Sequence, residues 1–89
     1  MSERDEELID FPTEFPVKIM GRNTDQFVAH AEALVAQHTE GKPPRAVSSR
    51  PSSNGRFLSV TVEITATSRA QLDAIYQSLT DDPEVLMAL

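Results

Sequence analysis

The sequence predicts one small α+β domain in which strands and helices follow the order β-α-β-β-α-β. Three observations support this: one long segment alternates apolar and polar residues, two segments carry helical apolar stripes, and a turn-forming tetrapeptide precedes the long segment. The length of 89 residues corresponds to a single domain. A chain this short buries about 60–65% of the surface of its unfolded state, so we expect a small core.

The strongest strand signal is the segment Asn54–Thr67, in which every second residue from Leu58 to Ala66 is apolar. Its apolar side consists of Leu58, Val60, Val62, Ile64 and Ala66, and its other side of Phe57, Ser59, Thr61, Glu63 and Thr65. A period of two, filled largely with β-branched residues, is typical of a strand with one buried face. We therefore place this strand near the centre of a sheet.

Three further segments read as shorter strands. Residues 15–21 alternate in the same way, and Pro16 must lie at the strand's start or on its unpaired side because it has no N–H to donate. Residues 45–51 contain few apolar side chains and end at Pro51, which favours a sheet edge. Residues 85–89 form a short last strand.

Two helices separate these strands. Asn23 or Thr24 is predicted to cap the first one, since Asn23 and Gln26 have the spacing of a capping box, and Gly41 is predicted to end it. The apolar stripe of the first helix is Phe27, Val28, Ala31, Leu34, Val35 and His38. Ser68 and Gln71 have the same box spacing, and the second helix has the stripe Leu72, Ile75, Tyr76 and Leu79.

The element order predicts a ferredoxin-like sandwich. Two right-handed crossovers give a four-stranded antiparallel sheet of order 4-1-3-2 with two helices on one face. In this order the first and third strands are central, and the weak second strand is an edge. Residues 52–55, Ser-Ser-Asn-Gly, are predicted to turn between the second and third strands, because Asn-Gly is a strong hairpin signal.

Charge and composition narrow the classes of function. The net charge is −6, and residues 1–10 carry −4 of it, so we predict an acidic flexible tail over 1–10 and one domain over 11–89. Negative charge argues against nucleic-acid partners, whose phosphates require Lys and Arg. The chain has no cysteine, and no apolar run approaches the length of about 20 residues that a membrane-spanning helix needs. Its first residues are acidic, unlike the basic start of a signal peptide. We therefore expect a cytoplasmic protein without membrane contact.

Residues suited to catalysis or metal binding do not form a recognisable set. His30 and His38 are eight positions apart, whereas a helical zinc pair needs a spacing of four, and no cysteine or carboxylate accompanies them at ligand spacing. The serines near the hairpin lack a partner base, so they are interpreted as turn formers. An enzyme would have to use His30 or a carboxylate such as Glu63 as its base. The prediction is a protein without catalytic residues, metal or cofactor.

Two segments are candidate ligand sites. The first is the basic hairpin, where Arg side chains and turn N–H groups could hold an anion; its residues are Arg50, Ser53, Asn54 and Arg56, with Lys42 and Arg45 nearby. The second is the loop before the first helix, where a glycine and helix N–H groups could admit an anion; its residues are Gly21, Arg22 and Asn23. A solvated basic patch and a tight strand-to-helix turn are the alternative interpretations.

The solvent-facing side of the predicted sheet could be a surface for RNA or for another protein chain. RNA-recognition domains share this element order and stack bases on exposed aromatics. Here Phe57 is followed by Glu63 on the same side, which makes a poor platform for RNA. Lys18 and Met20 should lie beside Ser59, Thr61 and Glu63. A half-polar, half-apolar face of this kind suits contact between copies or plain solvent exposure.

Several segments together resemble a known family. They are residues 8–13, Leu-Ile-Asp-Phe-Pro-Thr; 15–21, Phe-Pro-Val-Lys-Ile-Met-Gly; 50–57 running into 59–62; 70–76; and Pro83 with residues 85–87. Across residues 8–89 the chain resembles the bacterial YbeD-like family of unknown function. The resemblance implies a ferredoxin-like fold similar to the ACT regulatory domain, which binds amino acids or other small effectors, usually at a subunit interface.

The resemblance also points to a position for such an effector. The ACT loop that contacts ligands matches residues 21–24 here, although the usual Asp and Pro-Gly pair of that loop is absent. We therefore expect a non-catalytic, ACT-like regulatory or protein-interaction module that contacts a second copy, a partner protein or a small-molecule effector. The alternative is a small-molecule or anion-binding protein that uses Arg50 and Arg56.

Overall fold

The computed structural model describes residues 10–89, so the predicted acidic tail lies outside it except for Asp10. The elements are β1 (Thr13–Arg22), α1 (Phe27–Ala36), β2 (Ala46–Pro51), β3 (Phe57–Ala66), α2 (Arg69–Asp81) and β4 (Val85–Ala88). The predicted β-α-β-β-α-β order is therefore confirmed.

The four strands form one sheet of order β2-β3-β1-β4 with every neighbouring pair antiparallel. β1 and β3 pair over ten positions, from Thr13 opposite Ala66 to Arg22 opposite Phe57. The strand with the clearest alternation is thus central, and the proline-terminated β2 is an edge, as predicted. β4 is the other edge, and its register with β1 shifts between Met20 and Gly21.

The core lies between one face of this sheet and the two helices. Its buried side chains come from alternate positions of β1 and β3 and from one stripe of each helix. The buried members are Val17, Ile19, Phe27, Ala31, Val35, Leu58, Val60, Val62, Ile64, Ala66, Leu72, Ile75 and Leu79. Both helices cover the same side, so within residues 10–89 no helix covers the opposite side of the sheet.

The boundaries of α1 differ from the prediction. The helix begins at Phe27 after Gln26, whose side chain makes no capping hydrogen bond, so the predicted cap at Asn23 or Thr24 is wrong. Asn23 lies three residues before the N-cap position, and its side chain faces the hairpin, where its Nδ2 donates to the Gly55 carbonyl oxygen. The helix ends at Ala36, five residues before Gly41. His38 therefore belongs to the turn that follows the helix.

The start of α2 agrees with the prediction. Ser68 is the N-cap, and its Oγ accepts the Gln71 backbone N–H at 3.0 Å. The Gln71 side chain reaches back one residue further than in a capping box, because its Oε1 accepts the Thr67 backbone N–H at 2.7 Å. Neither helix within residues 10–89 is long and apolar enough to cross a membrane.

Candidate functional site

The two segments proposed as ligand sites meet at one end of the sheet. The Asn23 backbone N–H donates to the Arg56 carbonyl oxygen at 2.9 Å, and the Asn23 Nδ2 donates to the Gly55 carbonyl oxygen at 3.0 Å. Arg22, at the end of β1, lies opposite Phe57 at the start of β3. The loop before α1 and the β2–β3 hairpin are therefore one structural unit, although 32 residues separate Asn23 from Gly55.

The hairpin turn uses several of its polar groups internally. The Asn54 Oδ1 accepts both the Ser52 hydroxyl and the Arg56 N–H, and the Gly55 N–H donates to the Ser52 carbonyl oxygen. Gly55 has a φ of 76°, a conformation that glycine adopts without steric cost. Asn54 thus holds the turn, and the N–H groups of Gly55 and Arg56 point into it. Ser53 is exposed at the tip.

Three arginines surround this junction, and we call the group of Arg22, Asn23, Arg50 and Arg56 the basic corner. All three guanidinium side chains belong to exposed residues. Within residues 10–89, none of them has a carboxylate at ion-pair distance. Arg50 lies opposite Ser59 and Arg22 opposite Phe57, both on the uncovered side of the sheet. Strand spacing puts the Cα atoms of Arg22 and Arg50 about 12 Å apart.

The other two basic residues of the predicted cluster lie elsewhere. Arg45 precedes β2, at the end of the sheet opposite the hairpin, and its guanidinium is 3.0 Å from the Glu14 carboxylate. Lys42 follows α1 at that same end, beside Ile64 and Thr65. β2 separates these residues from Arg50. The basic residues that are close in sequence are thus divided between the two ends of the sheet. Only Arg50 and Arg56 lie at the end that holds the loop before α1.

Gly21 has a packing role in this corner. It is buried, and a Cβ at this position would collide with the ring of Phe27 and would lie 2.7 Å from the Glu84 carbonyl oxygen. The first residue of α1 therefore packs directly on the β1 backbone. The space that Gly21 leaves open is filled by the Phe27 side chain.

A small cavity of about 160 Å³ lies beside the corner. It is lined by Arg22, Thr24, Phe27, Pro83, Glu84 and Leu86. Sites for drug-sized ligands measure about 300–1,000 Å³, so this one suits only a small molecule. The guanidinium of Arg22 and the carboxylate of Glu84 both line the cavity, so its walls carry charges of both signs.

His30 takes part in a contact that the sequence pattern did not indicate. Its Nε2 lies 3.0 Å from both carboxylate oxygens of Asp82 and 4.0 Å from the Glu84 carboxylate. The hydrogen bond with Asp82 raises the pKa of His30 despite the opposing effect of burial, and the same bond lowers the pKa of Asp82. This pair ties α1 to the turn between α2 and β4. Among residues 10–89, no group of three His, Cys, Asp or Glu side chains is arranged to hold a metal ion.

His38 bridges the two helices. Its Nε2 and the Ser78 hydroxyl share a hydrogen bond of 2.7 Å, and its carbonyl oxygen accepts the Gln71 side-chain amide at 2.9 Å. A nucleophilic serine needs a base that is itself oriented by a third group. In the part of the chain that the structure describes, no carboxylate bonds to the His38 ring. The contact therefore joins the end of α1 to α2 and resembles no nucleophile–base–acid set.

The basic corner continues into the uncovered side of the sheet. The register puts Met20 opposite Ser59 and Lys18 opposite Thr61, as predicted, and it adds Met87 of β4 beside Met20. We call this surface the open-face patch; its residues are Lys18, Met20, Arg22, Arg50, Phe57 and Met87. The large apolar side chains exposed within residues 10–89 cluster at its β4 side: Leu86 at 52%, Met87 at 50% and Leu89 at 70%.

Known proteins resemble the chain in sequence and in fold. A "UPF0250 protein" of Chromobacterium violaceum is 48% identical over 89 residues, which is the full length of both chains. The solution structure of protein HP0495 from H. pylori matches at a TM-score of 0.75 and 17% identity, over 91% of this chain and 85% of that one. The C-terminal domain of the MgtC protein from Mycobacterium tuberculosis matches at a TM-score of 0.66 and 16% identity, over 91% and 88%.

At these identities the two structures establish the fold alone, and it is the predicted ferredoxin-like one. The family described as "Protein of unknown function (DUF493)" matches residues 6–89, and these cover the strands, the helices and the basic corner. Together with the full-length relative, this match shows that the chain belongs to the DUF493 family.

Proposed function

We propose that the protein is a non-catalytic interaction module that recognises anionic groups of a partner at the basic corner. The observation that carries the proposal is the junction formed by Asn23, whose two hydrogen bonds hold Arg22 and Arg56 at the same end of the sheet. Guanidinium groups bind carboxylates and phosphates in bidentate geometry. The chain has a net charge of −6, yet within residues 10–89 these arginines have no carboxylate at ion-pair distance, which leaves them available to an external anion.

The non-catalytic part of the proposal is supported by the two histidines. His30 and His38 each have a structural partner that links α1 to later parts of the chain. Neither lies among the residues of the basic corner. A ligand held by the four residues of the basic corner would therefore meet cations and an amide, with neither histidine among its contacts.

The test is a titration of the full-length, isotope-labelled protein with inorganic phosphate and with succinate, followed by amide NMR. We expect the amide signals of Asn23, Gly55 and Arg56 to move, and Arg50→Ala and Arg56→Ala to reduce these shifts. Lys42→Ala is the matched control, since Lys42 is an exposed cation at the other end of the sheet. Shifts that centre on Lys42 and Arg45, or that persist in both arginine variants, would contradict the proposal.

A second candidate function is binding of a free amino acid as a regulatory effector. It is favoured by the cavity of about 160 Å³, where Arg22 could pair with the carboxylate and Glu84 with the ammonium group of the effector. The site lies beside the loop that the ACT-like resemblance indicates. A thermal-shift screen of free amino acids tests it, because Glu84→Gln should abolish the stabilisation and leave phosphate binding at the corner intact.

A further inference from the structure

We propose that the open-face patch binds an acidic segment of a partner protein in which carboxylates alternate with apolar side chains. This inference rests on the proposed function, since Arg22 and Arg50 belong both to the basic corner and to the patch. It extends that function by defining the partner.

Charge on this side of the sheet is segregated along the strands. The half nearest the hairpin carries Lys18, Arg22 and Arg50, and within the described residues none of them has a carboxylate at ion-pair distance. The other half carries Glu63 and Glu14. A partner that covers the first half therefore gains most if it is acidic, because complementary charge guides both encounter and register.

Apolar side chains are interleaved with these cations. Met20 lies between Lys18 and Arg22 on β1, with Met87 as its neighbour on β4, and half-buried Phe57 lies opposite Arg22. Ser59 and Thr61, which have small side chains, lie opposite Met20 and Lys18 at the centre of the patch. An anion without apolar parts would contact the cations and leave the methionines and the phenylalanine in water. A segment that alternates carboxylates with apolar residues covers both kinds of side chain.

The dimensions of the patch suit a short segment. Three strand spacings across the sheet give a width of about 14 Å, and the four residue-to-residue steps from Lys18 to Arg22 give a height of about 13 Å. An extended chain of about four or five residues crosses this distance. Such a contact is at the small end of protein interfaces, so we expect weak and reversible binding.

Two other occupants fit the patch less well. A second copy facing the patch across a two-fold axis would set Lys18, Arg22 and Arg50 against the same three residues, with like-charge repulsion. A nucleic acid would extend beyond the patch towards Glu63 and Glu14, and would find Phe57 as its one aromatic on these strand positions. An acidic apolar segment meets neither obstacle.

The test measures binding of labelled synthetic peptides to the full chain by fluorescence anisotropy. One peptide alternates glutamate with leucine and phenylalanine, a second replaces the apolar residues by serine, and a third replaces glutamate by lysine. We expect the first to bind tightest. Arg22→Ala and Arg50→Ala should each weaken it about three- to fivefold, in the range of exposed ion pairs, and Lys42→Ala should leave it unchanged. Met87→Ser should weaken the first peptide only, since it removes an exposed apolar contact.

Several results would overturn the inference. One is that the serine peptide binds as tightly as the first peptide. This result would remove the apolar contribution from the inference and leave anion recognition at the basic corner intact. Tighter, arginine-dependent binding of oligo-uridine RNA would assign the patch to nucleic acid. A dimer in sedimentation that Met87→Ser dissociates would assign it to a second copy. If phosphate and succinate also fail to shift the corner amides, the proposed function itself is wrong.

Discussion

His30 in α1 and Asp82 after α2 are joined by a contact in which the imidazole Nε2 lies 3.0 Å from both carboxylate oxygens. The Asp82 Oδ1 also accepts the Glu84 backbone N–H at 2.9 Å. One carboxylate therefore fixes both the helix that packs on Gly21 and the turn that leads into β4. The contact is partly buried, with 30% of the His30 side chain and 15% of the Asp82 side chain exposed.

The first prediction concerns the pH dependence of this pair. The pKa of His30 is raised above 6.5, so its stabilising contribution is complete below that pH and is lost as the pH rises through the raised value. The pKa of Asp82 is lowered below 3.8, so its contribution is present above that pH and is lost as the pH falls through the lowered value. The pair should stabilise the fold most between those two unperturbed values.

The measurement is the unfolding midpoint of wild type and His30→Ala against pH. We expect the variant to be less stable by about 1 kcal/mol near pH 5.5, which corresponds to about 4–8 °C in a domain of this size. The difference should shrink towards pH 9. Asp81→Ala is the matched control, because Asp81 is the exposed neighbour that bonds to Gln77 instead. A pH-independent difference would contradict the assignment.

The second prediction concerns the junction of the basic corner. Asn23→Ala removes the amide that donates to the Gly55 carbonyl oxygen, although the backbone bond to Arg56 can still form. We expect a loss of about 0.5–1.5 kcal/mol in unfolding free energy, measured by urea denaturation. The amide signals of Gly55 and Arg56 should also broaden or move. Thr24→Ala, an exposed neighbour, should change neither; equal effects of the two substitutions would argue against a specific junction.

Much of the sheet could be predicted because its information is local. The alternation of residues 58–66 and the weakness of β2 determine which strands are central, and crossover rules then supply the order. The start of α1 could not be predicted in this way. Asn23 has the chemistry of a cap, but the residue that its side chain contacts, Gly55, is distant in sequence and close only once β1 and β3 have paired.

The residues of the candidate site also differ in whether a local sequence pattern could predict them. Arg50 and Arg56 are recognisable as a basic hairpin from sequence, and the register links them to Arg22 because β1 and β3 are adjacent. Met87 and the His30–Asp82 pair carry no local signal, since each depends on how β4 and the α2–β4 turn return to the sheet. The acidic run Asp81, Asp82 and Glu84 is the only sequence feature that could have suggested a partner for His30.

The third prediction concerns the cap of α2. Ser68→Ala removes the Oγ that accepts the Gln71 N–H, so we expect a loss of about 0.5–2 kcal/mol in unfolding free energy. Ser68→Asp should retain most of the stability, because a carboxylate caps the same N–H and favours a helix N-terminus. Ser53→Ala, at the exposed hairpin tip, is the matched serine control. Full stability of Ser68→Ala would show that Gln71 and Thr67 hold this end without it.

The fourth prediction concerns Gly21 and Phe27. Because a Cβ on Gly21 would collide with the Phe27 ring, Gly21→Ala should force α1 away from β1 and cost about 1–3 kcal/mol. Phe27→Leu removes the ring, so the same alanine should cost less in that background. A double-mutant cycle on urea unfolding measures the difference directly as a coupling energy between the two residues. Additive effects would mean that the destabilisation arises from the Glu84 carbonyl or from the backbone, and not from the ring.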